Sequence, residues 1–185
     1  MDATTASQSR SRHGLLLTAL ALTVALLVTL LQPGRADAKT ALPARTATEA
    51  SWGKSVLTLL NQERAAHHLH AVTSNAKLLN SARGHNLAMA RANLMSHQEK
   101  GEPALGSRVT AAGYKWSWAG ENIGWNSQVT GAGVLMLQKM MYNEVAPNDG
   151  HRLNILNTHF TNVGVDVYVD KTHHKVWLTV DFGRP

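Results

Sequence analysis

The hydrophobic positions of this chain follow three regimes in succession. Residues 14–31 form an apolar run without a single charge. Residues 39–50 are rich in Ala, Thr and Pro and carry no apolar period, which predicts a linker, set at residues 39–52. From residue 53 the pattern becomes that of a folded domain running to 185. Over 53–69, Val56, Leu57, Leu59 and Leu60 are apolar while Gln62, Glu63 and Arg64 are polar, which predicts a helix. Over 75–95, Leu78, Ala82, His85, Met89 and Ala92 recur every three or four positions and so share one helical face, with Thr73 or Ser74 placed to cap it. Residues 101–118 contain Gly and Pro and predict a loop with a short helix near 106–112. In a further helix over 128–144, Val134, Leu137, Met141 and Glu144 step by three and four. Glu144 is therefore expected on the core-facing stripe, and Pro147 is expected to end the helix.

The period then falls to two. Val163, Val165, Val167 and Val169 alternate with Gly164, Asp166 and Tyr168; Val176, Leu178, Val180 and Phe182 repeat the alternation after a connection at 170–174. This predicts a β-hairpin, and residues 120–125 supply a third strand. Helices followed by a small antiparallel sheet imply an α+β layered fold.

The apolar run changes the picture of the N-terminus. It follows Arg10 and Arg12 and precedes Ala36-Asp37-Ala38, the basic, apolar and small-residue order of a secretory signal. It is also just long enough to span a bilayer. Residues 1–38 are thus expected to be a signal peptide cleaved after Ala38, or a retained N-terminal membrane anchor with 14–31 as its transmembrane helix. Either way the remainder is expected outside the cytoplasm, secreted or in the cell envelope, touching a membrane only through residues 14–31 if these are kept. There are no cysteines, which excludes disulfides, zinc-thiolate sites and thiol nucleophiles. The remaining domain of about 130 residues is large enough to be stable through its core alone. Against 18 Lys and Arg stand 12 Asp and Glu, a formal charge of +6, and no basic run or aromatic-basic ladder points to nucleic acid.

Four residues carry candidate chemistry: His97, Glu121, Glu144 and His151. Two imidazoles and two carboxylates suit either a divalent-metal site or an acid/base site, and spacing alone does not bring them together. The phrases around them occur in a definite order: Leu60-Asn61-Gln62-Glu63-Arg64, Ser96-His97, Gly106-x-Arg108-x-x-x-Ala112-Gly113-Tyr114, Gly120-Glu121-Asn122-Ile123, Gly150-His151-Arg152-x-Asn154-Ile155-Leu156, Phe160-Thr161-x-Val163-Gly164-Val165 and Trp177-Leu178-Thr179-x-Asp181-Phe182-Gly183. In that order they resemble the CAP superfamily of cysteine-rich secretory, antigen 5 and pathogenesis-related 1 proteins, also called SCP-like extracellular domains, and most closely its bacterial, cysteine-free branch. The resemblance covers about residues 55–184.

The resemblance implies an α-β-α sandwich around a central antiparallel sheet, with a cavity lined by two His and two Glu. By motif, His97, Glu121 and His151 match three of them and Glu144 is the second Glu, with Ser96, Asn122, Arg152 and Asn154 in support. Two readings stay open for this tetrad. His97 and His151 bind zinc or another divalent cation, with the carboxylates as further ligands or as holders of water or the second ring nitrogen. Alternatively the four form a satisfied polar network with no metal at rest. Elsewhere, His85 is expected to be a core histidine with one hydrogen-bond partner. His67, His68 and His70 are expected to form a polar cap, and His173 and His174 to face solvent. Trp116, Trp118 and Trp125 are expected in the core or the cavity wall, with an apolar mouth for a lipid or glycan as the alternative.

Ser51-Trp52-Gly53-Lys54 fits S-x-x-K, but it falls in the linker without its companion phrases, and neither H-E-x-x-H nor G-x-S-x-G occurs. The leading expectation is an exported, non-enzymatic domain that binds a small hydrophobic ligand, a glycan or a protein at the cavity. A metal-dependent hydrolase of the envelope and a structural envelope module are the alternatives.

Overall fold

The computed structural model describes residues 41–185. The apolar run at 14–31 and the site after Ala38 lie outside the described residues. Among the described residues no helix is long and apolar enough to cross a membrane. The elements are α1 (Ala47–Ala65), β1 (Thr73–Ser74), α2 (Ala76–Ala92), α3 (Leu105–Ala111), β2 (Trp118–Asn126), α4 (Gly131–Tyr142), α5 (Gly150–Ile155), β3 (Asn162–Asp170) and β4 (Lys175–Arg184). Four strands make one sheet in the order β1-β3-β4-β2. The long strands β3, β4 and β2 are antiparallel neighbours, and β1 adds a two-residue parallel step to β3.

The linker expected over 39–52 is shorter than its composition suggested. Helix α1 begins at Ala47 because Thr46 and Glu49 form a reciprocal capping box, Thr46 Oγ1 accepting from the Glu49 N–H and Glu49 from the Thr46 N–H. The S-x-x-K phrase therefore lies on a helix. Helix α2 is capped by Asn75, whose Oδ1 accepts from Lys77 and Leu78, and not by Thr73 or Ser74. Those two residues are taken up by the strand pairing with Asn162 and Val163.

Alternation along the strands sorts the layers. Val163, Val165 and Val167 of β3 and Val176, Leu178, Val180 and Phe182 of β4 join Val56 and Leu60 of α1 and Val134, Leu137 and Met141 of α4 in the main core. The opposite face packs on α2, and Gly164 lets the α2 backbone at Leu78 and Leu79 press directly on β3. The outer edge of β3 beyond β1 is closed by side chains. Glu49 accepts from the Val169 N–H at 2.9 Å and Arg83 donates to the Val167 carbonyl at 3.4 Å. Arg83 also donates to the carbonyls of Pro43 and Ala44, and Arg45 pairs with Asp166 at 3.3 Å, so the entering chain is tied to that same edge. Buried edges need such partners.

Between α1 and α4, Glu63 is buried and accepts from Gln138 Nε2 at 2.6 Å, while Glu63 Oε1 and Gln138 Oε1 have no hydrogen-bond partner among the described residues. Burial pushes the Glu63 carboxyl up from 4.5 to about 7, against the hydrogen bond from Gln138. A folded-state value raised above the unfolded one favours the fold most below the unfolded value, and this advantage is lost as pH rises through about 7. Glu63→Gln removes the buried charge and lets two amides pair reciprocally. It is expected to raise stability by about 1–3 kcal/mol at pH 8 and by little below pH 4.5, as read from urea unfolding at both pH values.

Candidate functional site

Strand β2 is the sheet edge farthest from β1, and Glu121 sits on it facing α2 and α3. Its carboxylate accepts from His97 Nδ1 at 2.9 Å and from Arg108 Nη2, and His85 Nε2 lies 3.8 Å away. Burial opposes ionisation of Glu121. The His97 hydrogen bond and the charges of His85 and Arg108 outweigh it and hold the carboxyl below its ordinary value. His97 lies on the loop between α2 and α3, shaped by Ser96, whose hydroxyl donates to the Gln98 carbonyl and accepts from the Gln98 N–H. Arg108 donates to the His97 carbonyl at 3.0 Å and pairs with Glu102, and Glu102 accepts from His85 Nδ1 at 2.8 Å. His85 is thus a fully buried histidine with one hydrogen-bond partner residue, as its place on the apolar stripe implied.

The second pair is built differently from the sequence expectation. Helix α4 ends at Tyr142 with Asn143 as its C-cap, so Glu144 belongs to the turn that follows and not to the helical stripe. The residue before Pro147 is steered out of the helical region, which keeps the turn from extending α4. Helix α5 has no side-chain bond from its own N-cap, Asp149. Glu144 supplies it, accepting from the His151 N–H at 2.9 Å and the Arg152 N–H at 3.4 Å while its other oxygen meets His151 Nδ1 at 2.5 Å. A carboxylate at a helix start is favoured by the exposed amides there.

His97, Glu121, Glu144 and His151, together with Asn148, Gly150 and Asn154, line one open cavity of about 430 Å³. Asn122 is fully buried and donates to the His151 carbonyl at 3.0 Å; Asn154 donates to Asn122 Oδ1 and to the Glu121 carbonyl, locking α5 to β2. Arg152 points elsewhere: it donates to the Tyr142 carbonyl, lies over the Tyr142 ring at 4.6 Å and approaches His67, which itself bonds the Tyr142 hydroxyl. It fastens α5 to the end of α4 from outside the cavity. Trp116, Trp118 and Trp125 are 43%, 46% and 40% exposed and none of them lines the cavity, so the core or cavity-wall position expected for them is incorrect. Trp118 stacks on His159 and Trp125 lies under Lys175. His173, expected to face solvent, is half-buried and bonded to Asp170.

An ionised carboxylate only accepts, so Nδ1 of each imidazole carries the proton and Nε2 is the free ring nitrogen. Neither Nε2 has a partner among the described residues. The carboxylates thus act as holders of the rings. This donor set fits the outer half of a metal site with two imidazole ligands. Among the described residues, however, no group of three or more His, Asp or Glu is disposed to enclose an ion. A closed structural site is therefore not formed by the described residues.

An α-β-α sandwich with two His–Glu pairs at one edge of a four-stranded sheet defines the class. The sequence profile described as the CAP, cysteine-rich secretory protein family matches residues 57–182, and the chain belongs to that family. It is 31% identical over 155 residues to the uncharacterized protein YkwD of Bacillus subtilis, covering 82% of this chain and 55% of YkwD. An extracellular protein containing a SCP domain from Bacillus anthracis is similar at a TM-score of 0.63 and 29% identity, over 77% of this chain and 45% of that one. A cysteine-rich secretory protein from Staphylococcus aureus, 20% identical, shares the fold at a TM-score of 0.56 over 76% of this chain and 41% of its own. The chain thus spans about half the length of these relatives.

Proposed function

We propose that this is an exported CAP-domain protein that binds a ligand or partner at the two-histidine cavity, without turning it over. The observation that carries the reading is the pairing of the four side chains: each carboxylate holds an Nδ1, leaving both Nε2 atoms without a partner among the described residues on two rings that line one cavity. His97 is 60% exposed and His151 31%, so both rings are within reach of a ligand. Neutral, each Nε2 accepts a hydrogen bond or ligates a divalent cation such as zinc; protonated, each donates. The cavity lining carries no hydroxyl, thiol or amine nucleophile, which favours recognition over covalent catalysis. Export is supported by the signal-like residues 1–38 and by the likeness to an extracellular Bacillus anthracis protein.

Zinc is the probe that tests the site. Calorimetric titration of the wild-type chain is expected to show saturable uptake, and His97→Ala/His151→Ala to abolish it while leaving the denaturation midpoint within a few degrees. Equal uptake by both proteins would remove the imidazole pair from the reading. Zinc-dependent cleavage of a peptide panel, lost in the double variant, would replace binding with hydrolysis.

A further inference from the structure

Behind the cavity lies a buried acid that the paired imidazoles do not use. Asp181 of β4 is the cross-strand register partner of Glu121 on β2. It is wholly buried, and neither of its oxygens has a hydrogen-bond partner among the described residues. The groups that act on it are one carboxylate, one hydroxyl and one arginine. From β2 comes the Glu121 carboxylate, and from α2 comes Ser81; His85 Nε2 faces Glu121, at 3.8 Å. From α3 comes Arg108, already engaged with Glu121 and Glu102. On its other flank the register partner is Gly164 of β3, which offers no side chain.

Two ionised carboxylates facing one another are both acceptors and cannot bond. Burying a second negative charge beside Glu121 is costly where one arginine is shared among the acids. One proton removes both problems, because an un-ionised acid donates to its neighbour. The proton does not belong on Glu121, which already accepts from His97 and Arg108.

We infer that Asp181 is a permanently un-ionised carboxylic acid that donates to Glu121 and is thereby a positioning residue for His97 at the cavity. The chain of contact is Asp181 to Glu121 to His97 Nδ1, and its effect is to leave the negative charge on the carboxylate that holds the ring. Burial, and then the charge of Glu121, push the Asp181 carboxyl well above its ordinary value, in agreement with the geometry. The inference holds whatever the cavity binds.

Infrared spectroscopy of the full chain at pH 8 tests it. Glu63 and Asp166, raised to about 7 and about 6, are largely ionised there. The wild type is expected to show the carbonyl stretch of an un-ionised carboxyl group, shifted in deuterated solvent. Asp181→Asn copies the shape and donor of the acid, so it is expected to lose that band yet keep the wild-type denaturation midpoint and the wild-type ring resonances of His97. Asp181→Leu, with the shape but no donor, is expected to shift those resonances. Absence of the band in the wild type, its persistence in Asp181→Asn, collapse of the Asn variant, or wild-type His97 resonances in the Leu variant would each overturn the inference.

Discussion

Arg108→Ala is expected to cost about 3–5 kcal/mol, the penalty of stranding buried charges by removing their partner. Arg108 is buried and touches three things at once: Glu121, Glu102 and the His97 carbonyl. Without it, the buried Glu121 and the half-buried Glu102 lose their cation and the His97 loop loses its anchor. The loss also has a pH signature. The carboxyl of Glu121 is held below its ordinary value, so the stability it contributes is present above the unfolded value and disappears as pH falls through the folded one. The gap between wild type and Arg108→Ala should therefore be widest near neutrality and close as the solution is acidified below about pH 4. Urea unfolding across that range measures it. Arg108→Lys keeps the charge but cannot span three partners, and is expected to fall between the two. A wild-type midpoint for the alanine variant at pH 7 would show that the buried cluster is not held by its arginine.

Gly164→Ala is expected to be the most damaging single-carbon addition, at about 4 kcal/mol or more. A Cβ at Gly164 would fall inside the van der Waals envelope of the Leu78 carbonyl and the Leu79 nitrogen, which are backbone atoms of α2 and cannot swing aside. The helix would have to lift from the sheet. Lifting α2 also displaces Ser81 and His85 from the cluster behind Glu121, so zinc uptake at the cavity should weaken along with stability. Gly84→Ala is the control, because a Cβ there meets no atom within 4 Å. It lies on the same helix and is expected to be neutral or slightly stabilising. Denaturation midpoints of both variants settle the comparison.

The period-two run of the C-terminal hairpin and the stripe of α2 were readable directly: the strands send their large apolar residues to the main core and mostly small or polar ones toward α2, and α2 repeats its buried positions every three or four residues. Glu144 is more instructive. Helical phase placed it on a core-facing stripe, yet α4 stops two residues earlier, and Glu144 reaches His151 by capping α5. Helix α5 is six residues long and too short to announce itself by period, so the reason for the contact was not visible in the sequence. Arg108 and Glu102 lie in a segment whose Gly and Pro suggested loop, and only their charge in a short helix and its approach marked them. Asp181 was hidden among alternating strand positions, where an inward acid reads like any outward polar residue. The three tryptophans were assigned inward on their apolar character, but their rings serve as partners for His159, Lys175 and the Thr110 hydroxyl at the surface.

The clasp on the outer side of β3 also decides how the domain is presented. Arg83 and Arg45 hold residues 43–45 beside β3, whereas the imidazoles open at β2, and β4 stands between the two strands. Two strand spacings, about 10 Å, separate β3 from β2. A load on the incoming segment is therefore borne by Arg83, Asp166 and the capped start of α1, and not by the turn that carries Glu144 or the loop that carries His97. The entry of the domain and its imidazole-lined cavity thus lie at opposite margins of one sheet.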